Sequence, residues 1–154
     1  MSAQGFGKTA ESIAITAAML SEQIGAATIY YNGQPFTNAS GYGFDTQPYD
    51  DAMCVLNVGG IVGAVATLLN SVLESDTDDP SAASALASAS FTSLDDATDE
   101  TLQVGSIACK DTKRFLFLRT ETQGAPVTVD FGAAWIGGQA REQSATLGTL
   151  QFDV

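Results

Sequence analysis

From residue 52 onward, apolar side chains alternate in short runs separated by Gly, Pro and Asp. A two-residue period of that kind is what a strand requires. Met53, Val55 and Asn57 alternate with Cys54, Leu56 and Val58, and both faces are largely apolar, as in a strand covered on two sides. Gly59, Gly60 and Gly63 mark a turn region, and Val65, Thr67, Leu69, Ser71 and Leu73 begin a second alternation. Residues 115–120, FLFLRT, are apolar on both faces and read first as a central core strand, second as an interface strand. Val127, Val129 and Phe131 alternate with Thr128 and Asp130, and the pattern continues to Gly137-Gly138. Residues 101–108 read as a strand with Leu102, Val104 and Ile107 inward and Gly105 marking a bulge. The small-residue stretch 81–90 reads as a short helix or a loosely packed segment. No β-α-β alternation is present, so a parallel sheet is excluded. The expectation is an all-β antiparallel sandwich or barrel.

Residues 1–49 differ from the rest. They hold seven of the 13 aromatics: Phe6, Tyr30, Tyr31, Phe36, Tyr42, Phe44 and Tyr49. Residues 9–24 fit a helical stripe (Ile13, Ala17, Leu20, Ile24) or an alternating strand (Ile13, Ile15, Ala17), and the reading leans to strand. Asn32-Gly33 followed by Gln34-Pro35 is a turn signal. The expected organisation is an extended N-terminal arm over 1–49 and a β-sandwich domain over 50–154. The arm is expected to be the main anchor, with Phe6, Tyr30, Tyr31, Phe36, Tyr42 and Phe44 as partner-binding candidates. Packing of those rings on their own domain is the equal alternative.

Between Lys8 and Lys110 there is no Lys, Arg or His, and acids are scattered through the stretch. The net charge is -12, from six Lys and Arg against 18 Asp and Glu. A chain so charged repels phosphate and anionic headgroups, which argues against nucleic-acid and membrane-surface binding. Residues 52–73 carry no charge and include Gly59 and Gly63 at GxxxG spacing. Asn57, Thr67, Asn70 and Ser71 interrupt them, and the flanks are acidic with no basic anchor, so two strands explain them better than a membrane span. The apolar run 13–20 follows Lys8, but Glu11 interrupts the approach and no cleavage site follows, so no signal peptide is expected.

Catalytic constellations are missing from the pattern. Gly7-Lys8-Thr9 ends like a phosphate-binding loop, but Ser2 stands where the motif needs Gly. The acidic stretches Glu74, Asp76, Asp78, Asp79 and Asp95, Asp96, Asp99, Glu100 lack the turn Gly and distal Glu of a calcium loop and read as solvated turns. With no His, a Ser or Cys nucleophile would depend on Lys8, Lys110 or Lys113 as base. No enzyme, metal or cofactor is expected. Cys54 and Cys109 read as two buried free thiols, with a bridge across the core as the alternative. Lys110, Lys113, Arg114 and Arg119 read as a basic turn that pairs with the acidic loops, or as an intermolecular ion-pair patch.

Three stretches, MCVLNVGGIVGAVATLLNSVLESD over 53–76, ASFTSL over 89–94 and KRFLFLRTETQGAPVTVDFGAAWIGG over 113–138, resemble the capsid decoration or cement proteins of tailed bacteriophages. The resemblance covers about residues 50–138. It implies a jelly-roll-like sandwich that binds the outer face of the expanded capsid and clamps neighbouring major capsid protein subunits. It also implies self-association as a homodimer, with a homotrimer as the alternative. The protein would be made in the host cytoplasm and end on the virion exterior. No catalytic residue carries over. The rivals are a carbohydrate-binding β-sandwich module, which needs exposed rings converging on one groove, and another virion part such as a tail-tube or neck protein. The small-residue insert at 81–90 and the aromatic lead depart from the family pattern.

Overall fold

The computed structural model describes residues 14–24, 29–63, 67–124 and 128–140. Phe6 lies outside them, as does the phosphate-loop-like 7–9. Among the described residues ten strands form two antiparallel sheets: β1 (Ala14–Ile24), β2 (Ile29–Tyr31), β3 (Gln34–Pro35), β4 (Phe44–Asp45), β5 (Tyr49–Val62), β6 (Thr67–Ser75), β7 (Ser84–Ser90), β8 (Thr101–Ala108), β9 (Phe115–Gln123) and β10 (Thr128–Ala140). The front sheet runs β1-β10-β5-β8, and the back sheet runs β3-β2-β9-β6-β7 with β4 also on β9.

Set aside the two-residue β3 and β4, and the order has a simple logic. β1 pairs with β10, β2 with β9, β5 with β8, and β6 with β7. The first strand meets the last, the second meets the one before last, and so on to the middle pair. The β10–β5 and β9–β6 ladders then close each sheet. One long hairpin wound around a shared core gives this nesting, which is the jelly roll. The chain is an all-β antiparallel sandwich.

Alternation builds the core. Ala52, Cys54, Leu56 and Val58 of β5 point inward beside Val129, Phe131, Ala133 and Trp135 of β10. Leu68 and Val72 of β6 and Leu116 and Leu118 of β9 face them from the back sheet. Each large side chain so buried contributes about 1.5–3 kcal/mol. Phe117 is fully buried too, although it points the opposite way to Leu116 and Leu118. The Gly43 loop covers that outer side: a Cβ on Gly43 would stand 2.9 Å from the Phe117 ring. This is why 115–120 is apolar on both faces.

Several expectations meet a different arrangement. The described part of 1–49 is not an arm set apart from a domain at residue 50. It supplies β1 to the front sheet and β2 and β4 to the back sheet, and Tyr49 already belongs to β5. The Gly-rich stretch after Val58 is not a hairpin turn. β5 and β6 lie in different sheets, and a register shift between the Phe131↔Val58 and Val129↔Ile61 pairs bends β5 at Gly59-Gly60 toward the crossing. Residues 84–90 form a strand, not a helix. In β8, Leu102 and Val104 point outward, while Gln103, Gly105 and Ile107 are the more covered face. Gly105 is no bulge, because the β5–β8 register is unbroken. It is glycine because the Phe91 ring lies where a side chain would be, 3.0 Å from the Cβ position. The inward face of β8 is therefore selected by Phe91 and by Gln103, whose Nε2 donates to Thr92 O at 2.9 Å.

Candidate binding surface

The outer face of the front sheet is apolar where most sheet faces in water are polar. Val55 sits between Val104 on one side and Ala134 on the other, and Met53 between Ser106 and Ile136. Leu102 is 63% exposed, Val104 52% and Met53 39%. No charge interrupts the patch: along β5 and β10 the acids on this face are Asp51 at one end and Asp130 at the other. Isolated exposed apolar residues are ordinary, but a contiguous set across three strands marks a contact surface.

Beside this face the sandwich is open. β7 and β8 are the last strands of their sheets on the same side, and between them lies a cleft of about 520 Å³ lined by Leu86, Phe91, Ile107, Ser88, Asp111 and Thr112 among others. β7 bows to make it. Ser71 pairs with Ser90 but Leu73 pairs with Ala85, so β7 carries extra residues there, and Ser88 takes a left-handed φ of 61°. Nearby, the side chain of Asn70 points inward at 3% exposure with neither polar atom partnered, and Gln103 Oε1 is also unpartnered. Both residues border the Phe91–Thr92 step, through Phe91 N donating to Asn70 O and Gln103 donating to Thr92 O.

The aromatic candidates lie at the opposite edge of the back sheet and do not act as one group. Tyr31 and Phe36 meet at 5.3 Å between ring centroids, and Phe36 and Tyr42 are exposed. Tyr30 packs against the core. Phe44 is buried, stacked between Tyr49 at 5.5 Å and Trp135 at 5.3 Å, so it holds the sandwich together and offers nothing to a partner. None of these rings lines the cleft.

Asn32, read from sequence only as a turn residue, is the main polar joint. It and Gly33 occupy the two-residue turn between β2 and β3, both with positive φ, as that turn demands. Its buried side chain reaches past the hairpin. Nδ2 donates to Tyr42 O at 2.7 Å and Leu116 O at 3.1 Å, and Oδ1 accepts from Leu118 N at 2.8 Å and Trp135 Nε1 at 2.9 Å. β2 covers the β9 edge at Arg119–Glu121 and β4 covers it at Phe115–Leu116. Asn32 fills the gap between them.

Carboxylates of the acidic loops are spent on backbone amides. Asp78 Oδ1 accepts from Gly43 N at 2.6 Å, Glu74 Oε2 from Lys113 N at 3.0 Å, and Asp99 Oδ2 from Ile61 N at 2.8 Å. Asp79 caps the turn after it through Ser81 N, and that bond lowers its pKa. Among the described residues no group of acids, Cys or His is placed to hold a metal ion. The two described arginines pair elsewhere than these loops: Arg114 with Asp45 at 2.9 Å while lying over the Phe115 ring, and Arg119 with Glu121 at 2.6 Å. Cys54 and Cys109 are buried thiols with no bridge between them, and burial pushes the Cys54 thiol up to about 12. A thiol held protonated in this way is no nucleophile. No helix is long and apolar enough to cross a membrane among the described residues. No family model, curated protein or solved structure matches this chain.

Proposed function

We propose that the chain is a non-enzymatic virion structural protein, a decoration or cement protein that lays its front sheet against the outside of a tailed-phage capsid. One observation carries the reading: a protein with a net charge of -12 presents an uncharged, three-stranded apolar face centred on Val55, Val104 and Met53. Such a face has a role in binding a protein surface, since it has no group for chemistry and no ring for stacking a sugar. The jelly roll is compatible with virion proteins and with lectins alike, so fold alone decides nothing. The resemblance of residues 50–138 to cement proteins supplies the partner, the major capsid protein. The carbohydrate-binding alternative calls for rings converging in a groove, and the exposed rings Phe36 and Tyr42 are not part of the cleft.

The test is co-sedimentation with expanded capsid shells that lack the protein. The wild-type chain should pellet with the shells. Met53→Asp, which places a charge in the centre of the face, should weaken binding by about thirtyfold or more, as expected for a desolvated contact worth about 2 kcal/mol. A wild-type chain that stays in the supernatant refutes the reading. Undiminished pelleting of Met53→Asp refutes the assignment of the face.

A further inference from the structure

Soluble proteins blunt the outer strands of their sheets with charge, proline, bulges or a covering segment, because an open row of N–H and C=O groups recruits another strand. β8 carries none of the intrinsic devices. Residues Thr101–Ala108 contain no charged residue and no proline, and the register against β5 runs from Val58↔Thr101 to Asp51↔Ala108 without a shift. β5 is its sole strand partner among the described residues. The contrast with β7 across the cleft is direct, since β7 is bulged at Ser88.

We propose that β8 pairs antiparallel with β8 of a second copy, about a two-fold axis through Gly105. Charge selects the register. Glu100 immediately precedes the strand and Lys110 follows it by two residues, and both are exposed. With Gly105 on the axis, Glu100 stands opposite the partner's Lys110, and the same pair recurs on the other side of the axis. Centring the pair on Val104 instead sets Glu100 opposite the uncharged Ala108. The strand between the two charges is neutral, and the acids that flank the pairs, Asp99 and Asp111, lie beyond its ends, with the Asp99 carboxylate turned to Ile61 N of its own chain. In this register Val104 faces the partner's Ser106 and Leu102 the partner's Ala108. Paired residues on antiparallel strands point to the same side of the sheet. The two apolar outer faces therefore merge into one surface across six strands of a continuous eight-stranded sheet. That this doubled face spans two neighbouring capsid subunits rests on the decoration reading; the pairing itself does not.

Sedimentation equilibrium of the full chain tests it. The expected mass is twice the 15.9 kDa of one chain. Glu100→Lys alone and Lys110→Glu alone should each raise the dissociation constant about tenfold, because each sets like charges opposite one another at both ends. Combining the two reversals should restore association to within about threefold of wild type, as coupling between contacting residues requires. A monomer at every concentration overturns the proposal. So do single reversals that leave association unchanged, and a double reversal that fails to restore it. The Met53→Asp shell assay reports separately on the decoration reading: a dimer that ignores shells refutes only that reading, and a monomer that pellets with them refutes only the pairing.

Discussion

Replacing Asn32 should cost more stability than any other single polar change in the described fold. Asn32→Ala removes four side-chain hydrogen bonds. Three of the groups left behind are in the core: Leu116 O, Leu118 N and Trp135 Nε1, from residues no more than 1% exposed. An orphaned buried donor or acceptor costs about 1–3 kcal/mol. Tyr42 is exposed, and its carbonyl can turn to water. The backbone adds its own term, because φ is 46° at Asn32 and Ala in the left-handed region costs about 1–2 kcal/mol. Allowing for partial relaxation, the loss should be about 4–6 kcal/mol, a large share of a domain's usual 5–15 kcal/mol. Asn32→Gly separates the two terms, since glycine accepts the φ and loses only the side chain; it should be about 1 kcal/mol less damaging than Ala. Urea unfolding, followed by circular dichroism and by the emission of Trp135, the chain's one tryptophan, gives both values. The exposed Asn38→Ala is the control and should lie within about 0.5 kcal/mol of wild type. An Asn32→Ala variant within 1 kcal/mol of wild type would falsify the account of this residue as the joint between the sheets.

Two glycines make a matched pair. A Cβ on Gly43 would stand 2.6 Å from Asp78 Oδ1 and 2.9 Å from the Phe117 ring, whereas nothing lies within 4 Å of one on Gly60. Gly43→Ala should therefore lower stability by about 2–3 kcal/mol, and Gly60→Ala should leave it within about 1 kcal/mol; equal urea midpoints for the two variants would contradict the packing described. The Cys54 thiol makes a pH test. Its folded pKa is raised to about 12 from an ordinary 9.0, so above pH 9 the unfolded chain releases a proton that the folded chain keeps, and stability falls as pH rises. Between pH 9 and 10, with reductant present, wild type should lose about 1 kcal/mol more than Cys54→Ala, and parallel pH profiles for the two proteins would sink that assignment.

What the sequence made legible was the local period; what it hid was the pairing. The alternations at 53–58, 115–120 and, over the described residues, 128–131 are all strands, because a two-residue period with apolar residues inward admits little else. The parity of β8 is not set locally: Leu102 and Val104 are its larger apolar residues, which a core normally claims, yet they point outward. The choice was made by Phe91, which is ten or more residues away in the chain and fits only against a glycine, so it selects the Gly105 face. The place of residues 29–45 is likewise set by distant partners. Residues 29–45 carry short, weak strand signals, and their place in the sheet comes from partners some 70–90 residues distant on β9. Asn32 left a turn signal and nothing more, because a side chain that bridges strands distant in sequence has no local signature. The candidate surface has no local signature either: it consists of residues that alternation assigns to the core.

Charge and apolar surface are segregated in this molecule, and the segregation explains how both are tolerated. Many of the carboxylates lie in loops or near strand ends, where Asp78 and Asp99 in loops and Glu74 close to the end of β6 tie backbone amides of distant segments together. They are fixed by geometry to the rim of the sandwich. Between Asp51 and Asp130 the outer face of β5, β8 and β10 carries no charge, so that patch can be desolvated without burying an unpaired ion, which is the usual penalty for closing a charged surface. Meanwhile the net charge of -12 makes random collisions between copies repulsive, with a range of about 10 Å at 0.1 M salt. Contact then requires an approach that keeps the rims apart or sets a rim acid against a cation. Few cations are available for that: among the described residues Arg114 and Arg119 are engaged with acids of their own chain and Lys113 reaches Ser84 Oγ, so Lys110, beside the open strand, is a natural counterpart for an acid of another molecule. An apolar face that would be an aggregation hazard on a neutral protein is thereby limited to partners that meet it in one orientation.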